Sequence, residues 1–533
     1  MTDCPCGSVC PVEPPPKSES DIAVSEPKPI PKKGKLSRED RIAKLIEQCQ
    51  YGVVKRLDLR KCEITVLPLA VRDLTDLTEL YLCNNKLAYL PQDIGYLRNL
   101  YTLALNGNYL TNLPTSLADL KNLQILDLRH NKLNEIPQTI YRITSLTILL
   151  LRFNRITSID DAIKMLPSLA MLSLRHNNVK ELPASIGNLR SLLTLDVSYN
   201  RLEHLPKEIG RCVKLRNLDV RYNELLDLPS SLGQLPRLTC LGIKHNRLTF
   251  VPASLSKCEC LTEFNIEGNS ISELPEGLLS GLSEATTVIL SRNNFLTYPS
   301  KEPSQFRHVK SLDLANNQID KIPQGIFAQA RNLTKLNMKD NFLIGLPLDV
   351  DSWTNMVELN LSTNQLRKVP DDICALNSLE TLILSSNLIE RVSPHIRELT
   401  NLRVLNLEGN RLTDLPDDIG ELTNLQKLML QSNRLCFLPK TIGALTKLEF
   451  LSAGENNLYA LPEEIGNLEN LETLHINDNP SLNLLPFELV LCPKLSTVNV
   501  VNCPLSKIPS DAVAGGQSLI LEYLKINGPY CAP

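Results

Sequence analysis

The sequence predicts an α/β solenoid: about twenty turns of chain, each 23 or 24 residues long, stacked so that their strands form one parallel concave sheet in a horseshoe, with a helical cap at either end. Three observations predict it. A phrase with aliphatic residues at its first and third positions and asparagine at its sixth recurs along most of the chain. The interval between copies is nearly constant, and proline and glycine return at fixed offsets within each copy.

The asparagines mark the interval. Asn85, Asn108, Asn131, Asn154, Asn177, Asn200, Asn223, Asn246 and Asn269 are 23 residues apart, Asn293, Asn317 and Asn341 follow at 24, and Asn364 to Asn479 return to 23. Cys62 and Cys503 hold the same slot in degenerate copies at the ends, which makes twenty units. LxLxx followed by Asn or Cys is the leucine-rich-repeat signature. Each LxL reads as a short strand with both leucines in the core, and the asparagine amide can satisfy polar groups of the turn. Leu-Pro, as in Leu90-Pro91, ends that turn, and Ile94-Gly95-Tyr96-Leu97 begins the convex return. No copy can bury its leucines alone, so stacking is obligatory. Ile159-Asp160 lacks the proline and Arg391-Val392-Ser393-Pro394 displaces it, both read as irregular loop edges. The 24-residue copies are expected to alter the curvature around residues 270–341.

Composition excludes several functions. A net charge of −3 over 533 residues argues against bulk nucleic-acid or membrane-surface binding, and 5% aromatics argue against a base-stacking platform. No apolar run is long enough to span a bilayer, and the acidic, proline-rich start does not read as a signal peptide. Fifteen cysteines without framework spacing predict reduced thiols and a cytoplasmic or nuclear chain. No phosphate-cradling loop, HExxH or CxxC pair occurs, so no catalytic residue, cofactor or metal is expected. Cys4, Cys6 and Cys10 lack a fourth ligand, and Cys258 and Cys260 read as buried thiols on the convex side of one repeat. The sequons at Asn332 and Asn360 fall inside the ladder and are set aside.

The division expected is a disordered tail over 1–36, a cap helix over 37–50, the solenoid over 51–510 and a second cap over 511–533. Ser37 and Asp40 resemble a capping box, with Ile42, Leu45 and Ile46 at helical spacing. Leu519 to Ile526 reads as the closing helix.

Strand side chains alternate, so the residue after each LxL forms a column on the concave face. That column runs Arg60, Cys83, Asn106, Arg129, Arg152, Arg175, Ser198, Arg221, Lys244, then turns neutral to acidic from Glu267 onward. The next column adds His130, Phe153, His176, Tyr199, Tyr222 and His245. Asp127, Asp196 and Asp219 lie between the aliphatic residues, near enough to pair with the arginines. Each arginine alone is as readily a self-paired surface group as a contact. Arg129, Arg152 and Arg175 together point to an acidic protein partner.

Particular stretches narrow the reading. LDLRHNKL (126–133), LRFNRIT (151–157), LEHLPKEIG (202–210), LNMKDN (336–341), PFELVLCPKLS (486–496) and NCPLS (502–506) resemble the Shoc-two (Sur-eight) family of Ras–Raf–MAP-kinase scaffolds, over about residues 37–533. The resemblance implies a non-catalytic scaffold that binds a GTP-loaded Ras-family GTPase of the M-Ras type together with the catalytic subunit of type-1 serine/threonine phosphatase. The complex would dephosphorylate Raf kinase. It also implies GTPase contacts at Arg56, Tyr81, Asp127, Arg129, His130, Arg152, Arg155 and Arg175, to which the columns add Arg221 and Lys244. Cys83 and Leu150 stand where vertebrate members have tyrosine, and Arg221 where they have glutamine. The tail motif by which the family can dock phosphatase needs an aromatic residue that 22–26 lack, so phosphatase binding is expected from the solenoid itself. The competing reading, a recognition subunit of a degradative or innate-immune complex, would need a recruiting domain for which the repeats leave no room.

Overall fold

The structure, a computed structural model, describes residues 37–50, 54–299 and 303–529. The expectations for 1–36, with Cys4, Cys6, Cys10 and segment 22–26, lie outside them. The described residues form two compact units: one runs through Arg201 and takes in Lys214–Asp219, the other takes in Leu202–Val213 and continues from Val220. In the first, eight strands follow chain order: β1 (Arg56–Asp58), β2 (Glu79–Tyr81), β3 (Thr102–Ala104), β4 (Ile125–Asp127), β5 (Ile148–Leu150), β6 (Met171–Ser173), β7 (Thr194–Asp196) and β8 (Asn217–Asp219). Each pairs in parallel with the next, leucine opposite leucine, as Leu103, Leu126 and Leu149 do. The second unit repeats the pattern from β9 (Cys240–Gly242) to β20 (Thr497–Asn499).

One repeat shows why the sequence folds this way. Leu126 and Leu128 are fully buried, while Asp127 and Arg129 stand on the opposite face of the strand. His130 then takes a left-handed turn, φ 53°, and Asn131 follows. The Asn131 amide donates to Leu105 O at 3.0 Å and Leu128 O at 3.1 Å, and its Oδ1 accepts from Leu110 N at 3.0 Å. Every bond of this side chain reaches its own strand or the repeat before it. Each is worth about 1 kcal/mol net, and leaving such buried groups unpaired costs more.

Proline starts the convex side as well as ending the turn. Pro114, at φ −68° and ψ 151°, precedes a single 3-10 turn, Thr115–Asp119, and most repeats repeat this arrangement. The return path is therefore mostly 3-10 and not α-helix, the tighter form that a 23-residue repeat has room for. The Ile-Gly pair follows from close nesting of these turns. A Cβ on Gly95 would lie 2.8 Å from Ser116 Cβ, and one on Gly443 would lie 2.4 Å from Glu464 O. A second asparagine ladder runs down the same side, with Asn99 donating to Thr75 O at 3.0 Å and Asn122 to Arg98 O at 3.1 Å. Asn332 belongs to it, donating to Arg307 O at 3.2 Å.

The irregular repeats keep the geometry by substitution. Asp160 caps its 3-10 turn by accepting from Ala162 N at 2.7 Å, and Ser393 accepts from His395 N with Pro394 at the first position. In the 24-residue repeats the additional residue falls outside the strands. Thr287, Ser311 and Lys335 remain in register, while Gly277 (φ 74°) leads into α2 (Leu278–Gly281) and Gly325 turns at φ 76°.

The ends are closed differently. The cap helix α1 spans Arg38–Gln50, with Asp40 N donating to Ser37 Oγ at 3.1 Å and Ser37 N to Asp40 Oδ2 at 3.2 Å. At the other end α3 (Ser510–Ala514) leads to α4 (Gln517–Asn527), which buries Ile520 and Leu524. Gln517 accepts from Val498 N at 3.0 Å and donates to Ser496 O, occupying backbone groups at β20 that would otherwise invite another strand. Cys503 takes over one asparagine function, donating its thiol to Ile476 O.

Candidate protein interface on the strand face

In the first unit Arg56, Tyr81 and Asp127 stand on strands, and Arg129, Arg152 and Arg175 follow β4, β5 and β6 by two residues each. Arg56, on β1, lies 4.5 Å from the Tyr81 ring centre, and Tyr81 donates to Glu79 at 2.9 Å. Arg129 forms a two-pronged bond to Asp127 two residues back on its own chain, Nε to Oδ1 at 2.9 Å and Nη2 to Oδ2 at 2.7 Å. That bond holds the guanidinium pKa above its ordinary value. Arg152 reaches across two strands to Asp196 Oδ2 at 2.7 Å and gives its Nε to Ser173 Oγ at 2.8 Å. Asp196 is buried and accepts in addition from Ser173 Oγ at 3.1 Å, Ser198 N at 3.2 Å and Ser198 Oγ at 2.7 Å. Arg175 sits 4.7 Å from the Tyr199 ring centre.

The arginine column is thus largely neutralised by its own unit. Arg56, Arg60, Arg129, Arg152 and Arg175 face Asp58, Glu79, Asp127 and Asp196, so five cations meet four carboxylates. The pairing fixes the guanidinium planes, and a partner meets a preorganised polar surface instead of a bare positive stripe. Asp196 pairs with an arginine two repeats away, a contact that adjacent spacing did not suggest. Ser173 and Ser198 complete it, and reading the column within the LxL as fully as the column after it would have found Ser173.

His130, Phe153, His176 and Tyr199 are not strand residues. Each is the left-handed residue just before the asparagine, with φ between 53° and 56°. Their rings stack in order, centres 4.3, 4.4 and 4.3 Å apart and planes within 29°. Elsewhere the slot takes Asn84, Gly107, Asn316 and Gly409, types that tolerate this conformation, but also Arg292, Thr363 and Glu455. A bulky residue there costs on the order of 1 kcal/mol, and ring stacking returns a similar amount. Burial, then the charge of Arg175, lowers the His176 pKa. Arg155 lies beyond Asn154, exposed on the loop edge and off the strand face.

Arg221 and Lys244 belong to the second unit. Arg221 is buried, and Lys244 is 4.0 Å from Glu267, which His245 and Arg292 also approach at 3.8 Å. Tyr222 and His245 stack at 4.4 Å. Cys83 is buried against Ala104 O, which pushes its thiol pKa up to about 11. Among the described residues no group of three or more His, Cys, Asp or Glu could hold a metal ion, and no helix is long and apolar enough to cross a membrane.

The leucine rich repeat family profile matches residues 98–156, 144–202, 167–225, 213–271 and 354–412, and a leucine-rich repeat region profile matches 384–484. The chain is 67% identical over 253 residues to a leucine-rich repeat protein soc-2 homolog of Nematostella vectensis, a match covering 48% of this chain and 44% of that protein. It is 59% identical over 56 residues, 10% of each chain, to the leucine-rich repeat protein SHOC-2 of Danio rerio. The chain thus spans less than half the length of the curated relatives it matches. Among solved structures, a leucine-rich-repeat protein of Leptospira interrogans superposes with a TM-score of 0.62 at 30% identity, covering 77% of this chain and 98% of that one. YopM of Yersinia enterocolitica shares the fold, with a TM-score of 0.63 at 24% identity over 88% of this chain and 96% of that one. Repeat geometry and these likenesses together establish that the chain belongs to the leucine-rich-repeat family and is a relative of the SHOC-2/soc-2 leucine-rich repeat proteins.

Proposed function

We propose that the chain is a non-catalytic cytoplasmic scaffold of Ras–MAP-kinase signalling. It binds a GTP-loaded Ras-family GTPase of the M-Ras type through the strand face of its first unit and recruits the type-1 phosphatase catalytic subunit to dephosphorylate Raf. The observation that carries the reading is the run Arg129, Arg152 and Arg175, just past the consecutive strands β4, β5 and β6, each guanidinium oriented by a carboxylate or a ring. Oriented arginines beside aromatic groups favour an acidic protein surface. The SHOC-2/soc-2 relatives supply the pathway.

The test is binding of the full chain to GTPase loaded with a GTP analogue or with GDP, with and without phosphatase. The informative variants are Arg175→Glu and Arg129→Ala. Arg152→Glu is unsuitable because it would set a second carboxylate against buried Asp196. Nucleotide-dependent binding weakened at least about tenfold by Arg175→Glu is expected. Binding indifferent to nucleotide and to both variants would send the partner search elsewhere.

A further inference from the structure

The cap helix leaves a cavity open between itself and the first repeat. It measures about 460 Å3 and is lined by Ile42, Ala43 and Ile46 of α1 and by Ile64, Val66 and Pro68 of the repeat. No aromatic ring lines it among the described residues, and Val66, at 51% exposure, stands largely in water. The lining runs the length of the helix, from Arg38 and Glu39 in its first turn to Gln50 in its last. Arg38 is met by Glu63 at 3.1 Å, whereas Glu39 forms no ion pair among the described residues.

We propose that residues 27–36 of the same chain, which lie outside the described residues, occupy this cavity, with Ile30 seated against Ile42 and Ile46. The chain enters α1 through Ser37, one residue before the lining begins, so the segment arrives at the mouth of the cavity. Ile30 lies seven residues before Ser37, a span of up to about 23 Å when extended, against about 20 Å for the 13 residues of α1. Every part of the lining is within its reach. Gly34 allows the reversal this path needs, and Pro29 and Pro31 preset an extended backbone around Ile30, so docking costs little conformational freedom. Lys28, Lys32, Lys33 and Lys35 are the only charged residues of 28–35 and complement Glu39 and the acidic first turn of α1. Ile22-Ala23-Val24, a second aliphatic run before the helix, is flanked by Asp21 and Glu26 and would set like charges against Glu39. The tether favours even a modest fit by holding the segment at high effective concentration. Such docking covers apolar surface that α1 leaves in water and is independent of any partner.

Cys62 lines the cavity and is half-buried, which makes its thiol a reporter of occupancy. The full chain and its Ile30→Asp variant would be alkylated briefly with N-ethylmaleimide and read by mass spectrometry, with exposed Cys260 as the internal standard. Ile30→Asp alters no residue of the repeats, so their fold is kept. Cys62 should react at least about fivefold faster in that variant while Cys260 reacts equally in both, and Ile30→Leu should leave Cys62 protected. Equal Cys62 rates in the unaltered chain and in Ile30→Asp would overturn the proposal. A second series at lower protein concentration tests the competing occupant. Protection that fades on dilution would assign the cavity to a second copy of the chain and overturn the proposal as well, whereas protection by the chain's own segment is indifferent to dilution.

Discussion

Arg152 offers the most direct test of the paired strand face. Its guanidinium holds Asp196 at 2.7 Å and Ser173 at 2.8 Å, with the arginine side chain 24% exposed and the aspartate 8%. Removing one partner of a fully buried pair costs about 3–5 kcal/mol. Two features lower the figure here. Asp196 retains three donors, from Ser173 Oγ and from Ser198 N and Oγ, and water can reach the arginine side. Loss of one charge-assisted bond, about 1.5–3 kcal/mol, discounted for partial exposure, leaves about 1–2 kcal/mol for Arg152→Gln. Arg175→Gln, which loses only a ring contact, should cost about 0.5–1 kcal/mol. Urea unfolding would compare the two, and hydrogen exchange would localise the change. The protection lost in Arg152→Gln should centre on the amides of Leu174 and Ser198, which bond to Asp196. A cycle with Asp196→Asn should give a coupling near 1 kcal/mol. Additive effects, or equal losses for the two arginine variants, would refute the claim that the face is organised by internal pairing.

Three further outcomes are expected. Burial holds the His176 pKa below that of a free histidine, so the unfolded chain takes up protons first as pH falls; this contribution to stability is complete above about pH 6.5 and is lost on acidification, and His176→Phe should flatten the decline in thermal melts between pH 7.5 and 5. Gly443→Ala would press a Cβ against Glu464 O and should cost about 1–3 kcal/mol by thermal unfolding, whereas Gly409→Ala, with its nearest contact at 3.4 Å, should cost only the left-handed penalty of about 1 kcal/mol. The thiols of Cys83, Cys258 and Cys492 are pushed up to about 11 by burial, so brief alkylation at pH 8 followed by mass spectrometry should label exposed Cys260 well before them.

The repeat was legible because its physics is one-dimensional: a three-residue strand and a bonded asparagine leave period and identity plainly in the sequence. The arginine column was legible for the same reason. Its neutralisation was only half legible. Asp127 pairs within its own chain segment, but Arg152 reaches Asp196 across 44 residues, through a side-chain path that repeat spacing does not encode. The ring residues were legible as a column, but not as a left-handed turn three residues past each strand, which only the enrichment of Asn, Gly and Asp in that slot marks. The asparagines of the convex ladder, Asn99, Asn122 and Asn332, were visible as letters, but their acceptors are carbonyls a full repeat earlier.

The asparagine bonds give the assembly a direction in time. Asn131 completes the turn at Leu110, and Asn154 completes the turn at Leu133, so each repeat is finished by the one synthesised after it. A chain emerging from the ribosome therefore carries one turn with an unanswered amide at its growing tip, while everything behind it is already closed. Growth proceeds rung by rung, with little unpaired backbone exposed at any moment. Cys503 ends the process: its thiol can donate back to Ile476, but it lacks the amide oxygen that would accept from Leu482, whose N–H turns to Asn479 O. The turn of the last repeat is closed from behind as well, its Leu505 N–H bonding back to Leu482 O at 3.0 Å, so it needs no amide oxygen from a further repeat.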